Sequence, residues 1–366
     1  MRLWFYLLCI FVFFEADAAF FDEKAAQETS ILPPDYVFPM LRGVSLDPLA
    51  YYTKDFDDDG HVTKLFFNDH CFDNERNFGE FESFKRVEGF YYKNCNFSST
   101  AFNEVLEMMS NNCDHIRFVG FSHISLKSSE ITNLMNLLAK CPCLEAVRFV
   151  NNGLSKDDIQ KLASVLKTKK MKKIVLEENL SDQSTRVLMG ILKDQTDLEH
   201  LSISWGRQWN YLALNEKLCV TPGCFVNFIT CLHALKLKVL KLKCQGLYDS
   251  FDFNSIALYL VAYLRSTIVQ THLVRFNFLT STQNHFPYKD QVITYLPFNE
   301  MASQGILQAL PPELRIIKLS WLCFNGRTSS VVNQILSKNK VEYLKLKGVR
   351  SDVPFFYGNH INKYVM

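Results

Sequence analysis

One hydrophobic pattern recurs along most of the chain. An apolar residue is followed by two variable residues, an apolar residue, one variable residue and a further apolar residue. After two more variable residues, Asn or Cys often follows, and another apolar residue stands two positions further on. Two complete copies are Val87, Phe90, Tyr92, Cys95 and Phe97, and Leu144, Val147, Phe149, Asn152 and Leu154. Each copy predicts a short strand with one buried face.

The copies repeat at a nearly constant interval, which indicates a repeat protein. Val87 follows Val62 by 25 residues, and Leu198 follows Met171 by 27. Further copies begin at Cys113, Leu144, Leu237, Leu273, Leu314 and Val341. This spacing gives about ten units. Asn152 and Asn179 occupy the polar position, where we expect their amides to be buried.

The segments between the copies are predicted to be helices. Ser155 is a candidate N-cap, and Asp158 completes a capping box with it. Ile159, Leu162 and Leu166 then recur at helical spacing.

A strand and a helix cannot bury their apolar faces alone, so repeated units must stack into an α/β solenoid. The pattern resembles that of the leucine-rich-repeat superfamily, closest in period to the ribonuclease-inhibitor-like class. The resemblance covers Val62 to Arg350, although Phe, Val, Ile and Met often replace Leu. It implies a horseshoe with parallel concave strands and convex helices.

The ends of the chain differ from the repeats. Arg2, the apolar run Leu3 to Phe14 and Ala16-Asp17-Ala18 are typical of a cleaved signal peptide over residues 1–18. A buried N-terminal helix is the alternative. We assign residues 19–60 to an N-terminal cap, 61–350 to the solenoid and 351–366 to a C-terminal tail. No later apolar run reaches about 20 residues, so we expect no transmembrane segment in the mature chain.

Charge and cysteine content refine this picture. The chain has 366 residues, 40 of them basic and 38 acidic, and this balance does not favour a nucleic-acid partner. Ten cysteines remain beyond the signal peptide, and a secretory compartment permits disulfides among them. Cys95 is expected to be a buried thiol of the repeat core.

No motif for catalysis, a cofactor or a metal emerges. Asp55, Asp57 and Asp59 match half of a calcium loop, but Phe66 stands where a bidentate Glu is needed. The spacing of the cysteines at 219, 224 and 231 fits no standard zinc site. We therefore expect neither an enzyme nor a metal or cofactor site.

Alternation along the strands identifies the residues expected on the concave face. The candidate binding residues there are Tyr91, Arg117, Arg148, Lys241, Lys318 and Lys345. Their basic bias suits an acidic protein or glycan. Alternatively, lysines on a solvated strand face only prevent aggregation.

Three units carry insertions, at 204–222, 245–254 and 280–299, and insertions in solenoids often border the binding face. Trp205, in the first insertion, therefore joins the candidate binding residues. The loops could equally be neutral elaborations.

Two sequons begin at Asn96 and Asn179, and we expect Asn96 to be the better glycan acceptor.

The sequence thus predicts a secreted leucine-rich-repeat scaffold, located in the secretory lumen or outside the cell. It would bind a protein or glycan through its concave face and long loops. An intracellular adaptor of the same fold, without a signal peptide, is the alternative.

Overall fold

This computed structural model describes residues 52–56, 62–68, 71–72, 85–205, 220–245, 253–281, 298–320, 323–324, 330–331, 334, 341–347 and 350–351. The predicted signal peptide at 1–18, most of the predicted cap and the tail beyond Ser351 lie outside these residues. Most of each long insertion also lies outside them.

One sheet runs through the described chain, and its strands follow one another in sequence order. They are β1 (Tyr52–Phe56), β2 (Val62–Asn68), β4 (Gly89–Lys93), β6 (Phe118–Ser122), β7 (Ala146–Val150), β8 (Lys173–Glu177), β9 (His200–Trp205), β10 (Val239–Gln245), β11 (Arg275–Ser281), β12 (Ile316–Ser320) and β14 (Tyr343–Lys347). All neighbouring pairs are parallel except β1 with β2, which is antiparallel. Because each unit adds the next strand at the same edge, the fold is an α/β solenoid.

Two-residue strands form short parallel pairs just after the main strands. They are β3 (Cys71–Phe72) with β5 (Asn96–Phe97), and β13 (Cys323–Phe324) with β15 (Arg350–Ser351). The first residues of the predicted cap that the structure describes, Tyr52–Phe56, thus extend the sheet as its antiparallel first strand.

From β4 to β12, helices connect the consecutive parallel strands and pack against the helices of neighbouring units. They are α1 (Ser99–Asn111), α2 (Ser128–Lys140), α3 (Lys156–Lys167), α4 (Asp182–Leu192), α5 (Pro222–Cys231), α6 (Phe253–Leu264), α7 (Thr267–His272) and α8 (Glu300–Gln308), with a 3-10 turn at Leu232–Ala234. The predicted capping box is confirmed, since Ser155 caps α3 and Asp158 bonds back to it. Within the described chain, no helix has the length and apolar character needed to cross a bilayer.

The core lies between the helices and one face of the sheet. Val147, Ile174 and Leu201 are paired across β7, β8 and β9, and each side chain is buried. Leu144 and Met171, which open their units, are buried as well. This confirms that the apolar triplets are neighbouring strands that hide their side chains against one another.

Aromatic rings stack along this core where a repeat protein would place Leu. Tyr92 lies between Phe67, at 4.8 Å between ring centroids, and Phe121, at 5.2 Å. Phe121 continues the stack to Phe149 at 6.0 Å. Strand spacing of about 4.8 Å suits stacked rings, so parallel units accept an aromatic ladder at this position.

The polar position of the repeat is confirmed at Asn152 but not at Asn179. Asn152 is buried; its Oδ1 accepts from the Ile124 amide, and its Nδ2 donates to the Phe121 carbonyl. In the next unit the buried polar side chain is Glu178, which accepts hydrogen bonds from Asn152, while Asn179 is exposed. The expectation that Asn179 is buried is therefore wrong, because Glu178 fills that space.

Candidate binding face

The sheet face opposite the helices, here called the open face, carries a continuous middle row of residues. Register pairs its members across consecutive strands. In order along the solenoid, the row is Phe66, Tyr91, Gly120, Arg148, Val175, Ser202, Lys241, Asn277, Lys318 and Lys345. The structure thus places the predicted Tyr91, Arg148, Lys241 and Lys318 in one row. Lys345 pairs with Lys318 in register, and its side chain lies outside the described residues.

The unit after α1 occupies a different register from the one predicted. The sequence pattern predicts an inward triplet that begins at Cys113, whereas the structure buries a triplet that begins three residues later, at Ile116. Gly120 therefore pairs with Arg148 in the middle row, and Arg117 is not a member of it. Both triplets satisfy the apolar template, and only pairing with the neighbouring strands decides between them.

Arg117 lies at the edge of the sheet where the strands begin. Its guanidinium pairs with Glu145 at 2.7 Å and with Glu88 at 3.7 Å, and Lys172 pairs with Glu145 at 2.8 Å. Charges of alternating sign thus run along this edge. Arg117 belongs to that row of ion pairs and not to the candidate binding face.

Aromatic side chains cover the first part of the open face. The rings of Phe66 and Tyr91 meet edge to face at 6.1 Å, and Phe118 lies 6.4 Å from Tyr91. Gly120 makes room for them: a Cβ there would lie 2.6 Å from Tyr91 Cδ2 and 2.8 Å from Phe118 Cζ. The glycine therefore allows two rings to lie directly over its strand.

Arg148 is held where the aromatic part meets the basic part. Its Nε donates to Ser122 Oγ at 3.3 Å, and the guanidinium carbon lies 5.8 Å from the centre of the Tyr91 ring. The Tyr91 hydroxyl donates to the same Ser122 Oγ at 3.1 Å. The three side chains form a small preordered cluster, here called the Tyr91 cluster.

The open face is strongly basic. Across the middle row and the rows before and after it, eight of the described side chains are basic and only Glu177 is acidic. The basic residues are Lys64, Lys93, Arg148, Lys173, Lys241, Lys243, Arg275 and Lys318. This ratio contrasts with the near-neutral balance of the whole chain.

Burial, together with the crowding of positive charges, lowers the pKa of several basic side chains on this face. Burial lowers the pKa of Lys173 to about 7, and the charges of Arg148 and Arg275 contribute in the same direction. Burial and Arg275 likewise hold the pKa of Lys241 well below its usual range. Burial and Lys173 lower the pKa of His200, so its imidazole is neutral at physiological pH. An anionic ligand would relieve this repulsion and favour the charged lysines.

Glu177 is the acidic exception in this surface. Ser202 Oγ donates to its carboxylate at 2.7 Å, and Lys243 Nζ forms an ion pair with it. Burial raises the pKa of Glu177, but Lys243 and the nearby Arg148 outweigh that effect and lower it to about 2. The carboxylate is therefore ionised and anchors Lys243 beside the middle row.

Sequence reasoning missed the row that contains Lys173, His200 and Arg275. These residues precede the second apolar position of their strands, two residues before the middle row. Strand alternation brings both rows to the same face. Applying the same in-and-out alternation to the residue two positions before each middle-row residue would have identified them from the sequence.

Trp205 does not belong to the candidate binding face. It ends β9 on the core side, where it is 1% exposed, and its Nε1 donates to Thr185 Oγ1 at 2.9 Å. Phe225 and Phe228 contact the indole edge to face. The expectation that Trp205 lies on the concave face is wrong, because β9 continues two residues into the predicted insertion and its last residue turns the indole inward.

Asn96 is exposed, as its sequon requires, but Asn179 is exposed as well. The third residues of the two sequons have the same role: Ser98 caps α1 and Ser181 caps α4. Burial therefore does not favour Asn96 over Asn179.

Comparisons with known proteins add little. No family model matches the sequence, and no curated protein matches it. Among solved structures, the crystal structure of a TLR13–ssRNA13 complex is similar to this chain, with 14% identity and a TM-score of 0.32. The match covers 75% of this chain and 41% of that chain. So distant a likeness carries no argument, and the solenoid assignment rests on strand order and register alone.

Proposed function

We propose that this protein is a secreted leucine-rich-repeat scaffold of the ribonuclease-inhibitor-like class, which binds an acidic protein or glycan through its open face and long loops. The supporting observation is the excess of eight basic side chains over one acidic side chain among those described on this face. About ten units form the solenoid in this proposal, and no catalysis is involved.

The solenoid is proposed to curve into a horseshoe with the open face concave. Neighbouring strands lie about 4.8 Å apart, whereas packed helices need about 8–10 Å between their axes. The strand side of each unit is therefore thinner than the helix side. A concave basic surface concentrates positive potential and attracts an anionic partner from solution.

Two parts of the open face would contact different groups of the ligand. The Tyr91 cluster offers an aromatic surface next to a guanidinium that is already oriented, so little side-chain entropy is lost on binding. Lys241, Lys243 and Lys318 would meet acidic groups of the ligand beyond it. Such recognition depends on charge and weakens as salt screens the surface.

Charge reversal on the open face tests the proposal. The probes are a sulfated polysaccharide and a polyglutamate peptide, and binding to the full mature protein is measured at low and high salt. Replacing Arg148, Lys241 and Lys318 by Glu should weaken binding by at least about tenfold. The control replaces the exposed helix residues Lys140, Lys156 and Lys167 by Glu, which changes the net charge equally and should leave binding unchanged.

Binding that is independent of salt, or equal in the two triple variants, would contradict an electrostatic role of this face. It would favour the interpretation that these lysines only prevent aggregation.

The adaptor alternative differs at the N-terminus. Sequencing of the mature protein should begin at Ala19 if the signal peptide is cleaved. A mature chain that retains its first 18 residues would favour the intracellular adaptor. Secretion also predicts a glycan at the exposed Asn96, detected as a mass decrease on enzymatic deglycosylation that is reduced in Asn96→Gln.

A further inference from the structure

Two cysteines of consecutive units lie in contact on the helix side of the solenoid. Cys113 Sγ and Cys141 Sγ are 3.1 Å apart. A disulfide bond is about 2.05 Å long, so the two sulfurs need to approach by only about 1 Å. Cys113 is half-buried and Cys141 is fully buried.

Both cysteines follow a helix and lie three residues before the buried residue that opens the next apolar triplet, Ile116 or Leu144. Cys113 follows Asn112, the C-cap of α1, and Cys141 is itself the C-cap of α2. They are 28 residues apart, which is one repeat, so the stacking of the units brings them together. Their proximity is a consequence of the solenoid and does not depend on a flexible loop.

In another unit, the residue at the equivalent position connects two neighbouring units by hydrogen bonds. Gln195, after α4, accepts from the Met171 amide at 2.8 Å and donates to the Leu166 carbonyl at 3.1 Å. Its side chain thereby ties its own unit to the preceding one. At Cys113 and Cys141 the side chains that meet between units are two thiols.

We propose that Cys113 and Cys141 are a redox modification site, at which a disulfide covalently joins two consecutive units of the solenoid. The oxidant is a small disulfide such as oxidised glutathione. The Cys113 thiolate attacks it, releases one glutathione thiolate and forms a mixed disulfide. The Cys141 sulfur then attacks Cys113 Sγ, its proton passes to the second departing glutathione, and two glutathione molecules result.

The order of the two steps follows from exposure. Cys113 is partly accessible, whereas burial raises the pKa of the Cys141 thiol and shields it from a dissolved oxidant. The product crosslinks the unit that ends with α1 to the unit that ends with α2. Since a solenoid is stable mainly through contacts between neighbouring units, such a crosslink strengthens one interface directly.

Cys143 provides an internal comparison. It is exposed and lies only two residues from Cys141, so reactivity alone would favour it as a partner. The geometry instead selects Cys141, because its sulfur already contacts Cys113.

The test uses the full mature protein equilibrated in oxidised or reduced glutathione. Free thiols are alkylated under denaturing conditions, and peptides are mapped by mass spectrometry. We expect a Cys113–Cys141 linked peptide only in the oxidised sample. Reduction should also lower Tm by roughly 5 °C or more. Cys113→Ser should abolish both effects, and the matched variant Cys143→Ser should retain both.

The proposal is overturned if Cys113 and Cys141 are both alkylated after oxidation, if fragmentation of the linked peptide places the bond on Cys143 and the alkyl group on Cys141, or if reduction lowers Tm equally in Cys113→Ser. Peptide mapping of the unmutated protein decides the question even if a variant fails to fold. These outcomes are independent of whether the open face binds an acidic ligand.

Discussion

Glu177 on β8 and Lys243 on β10 form an ion pair that reaches across the intervening strand β9. Ser202 on β9 donates to the same carboxylate at 2.7 Å. One buried acidic side chain thus connects three consecutive units on the open face. It does so among cations that repel one another, so its removal affects both stability and the local charge.

Stability should fall in acid through Glu177. Its folded pKa of about 2 lies below the ordinary glutamate value of 4.5, so the stability that it contributes is present above pH 4.5 and is lost as the pH falls towards 2. The shift corresponds to on the order of 3 kcal/mol. Denaturant unfolding between pH 2 and 7 should show a smaller loss in Glu177→Gln than in the unmutated protein. Identical pH profiles would show that the ion pair contributes nothing measurable.

Gly120→Ala should destabilise the protein by about 1–3 kcal/mol, because the new methyl group overlaps the rings of Tyr91 and Phe118. Gly190→Ala is the control: this exposed glycine in α4 has no neighbour within 4 Å of an added Cβ. It should stabilise the protein by about 0.5–1 kcal/mol. The free energy of unfolding measures both. A cost at Gly120 that persists unchanged in a Tyr91→Ala background would rule out the overlap with Tyr91.

Trp205→Phe should lower the free energy of unfolding by about 1–3 kcal/mol. It removes the donor to Thr185 Oγ1 and leaves a gap beside Phe225. Binding of the sulfated polysaccharide probe should be unchanged, since the indole lies in the core. Weakened binding by a fully folded Trp205→Phe protein would restore Trp205 to the candidate binding face.

Asn152→Ala should cost about 2–3 kcal/mol, because it leaves the Ile124 amide and the Phe121 carbonyl without this partner. Asn179→Ala, at an exposed side chain, should change stability by less than about 0.5 kcal/mol. Thermal or denaturant unfolding of the two variants compares them directly. Equal losses would mean that Asn179 has the buried role that the repeat pattern predicts.

Much of the candidate surface was predictable from the repeat alone. Strand alternation placed Tyr91, Arg148, Lys241 and Lys318 in one row, and register confirms it. The Tyr91 cluster and the link from Glu177 to Lys243 were not predictable. They join residues from 25 to 66 positions apart through side-chain rotamers that no local pattern encodes.

The sequence by itself determined the solenoid. A strand and a helix of this length cannot bury their apolar faces separately. Because the unit recurs regularly, the apolar faces are buried when consecutive units stack on one another. The tertiary structure alone decided which triplet of an ambiguous unit faces inward. Cys113 and Ile116 both begin acceptable triplets, and the choice of Ile116 follows from its burial and from backbone pairing with the adjacent strands. The same contacts between units turned Trp205 into the core and brought Cys113 against Cys141.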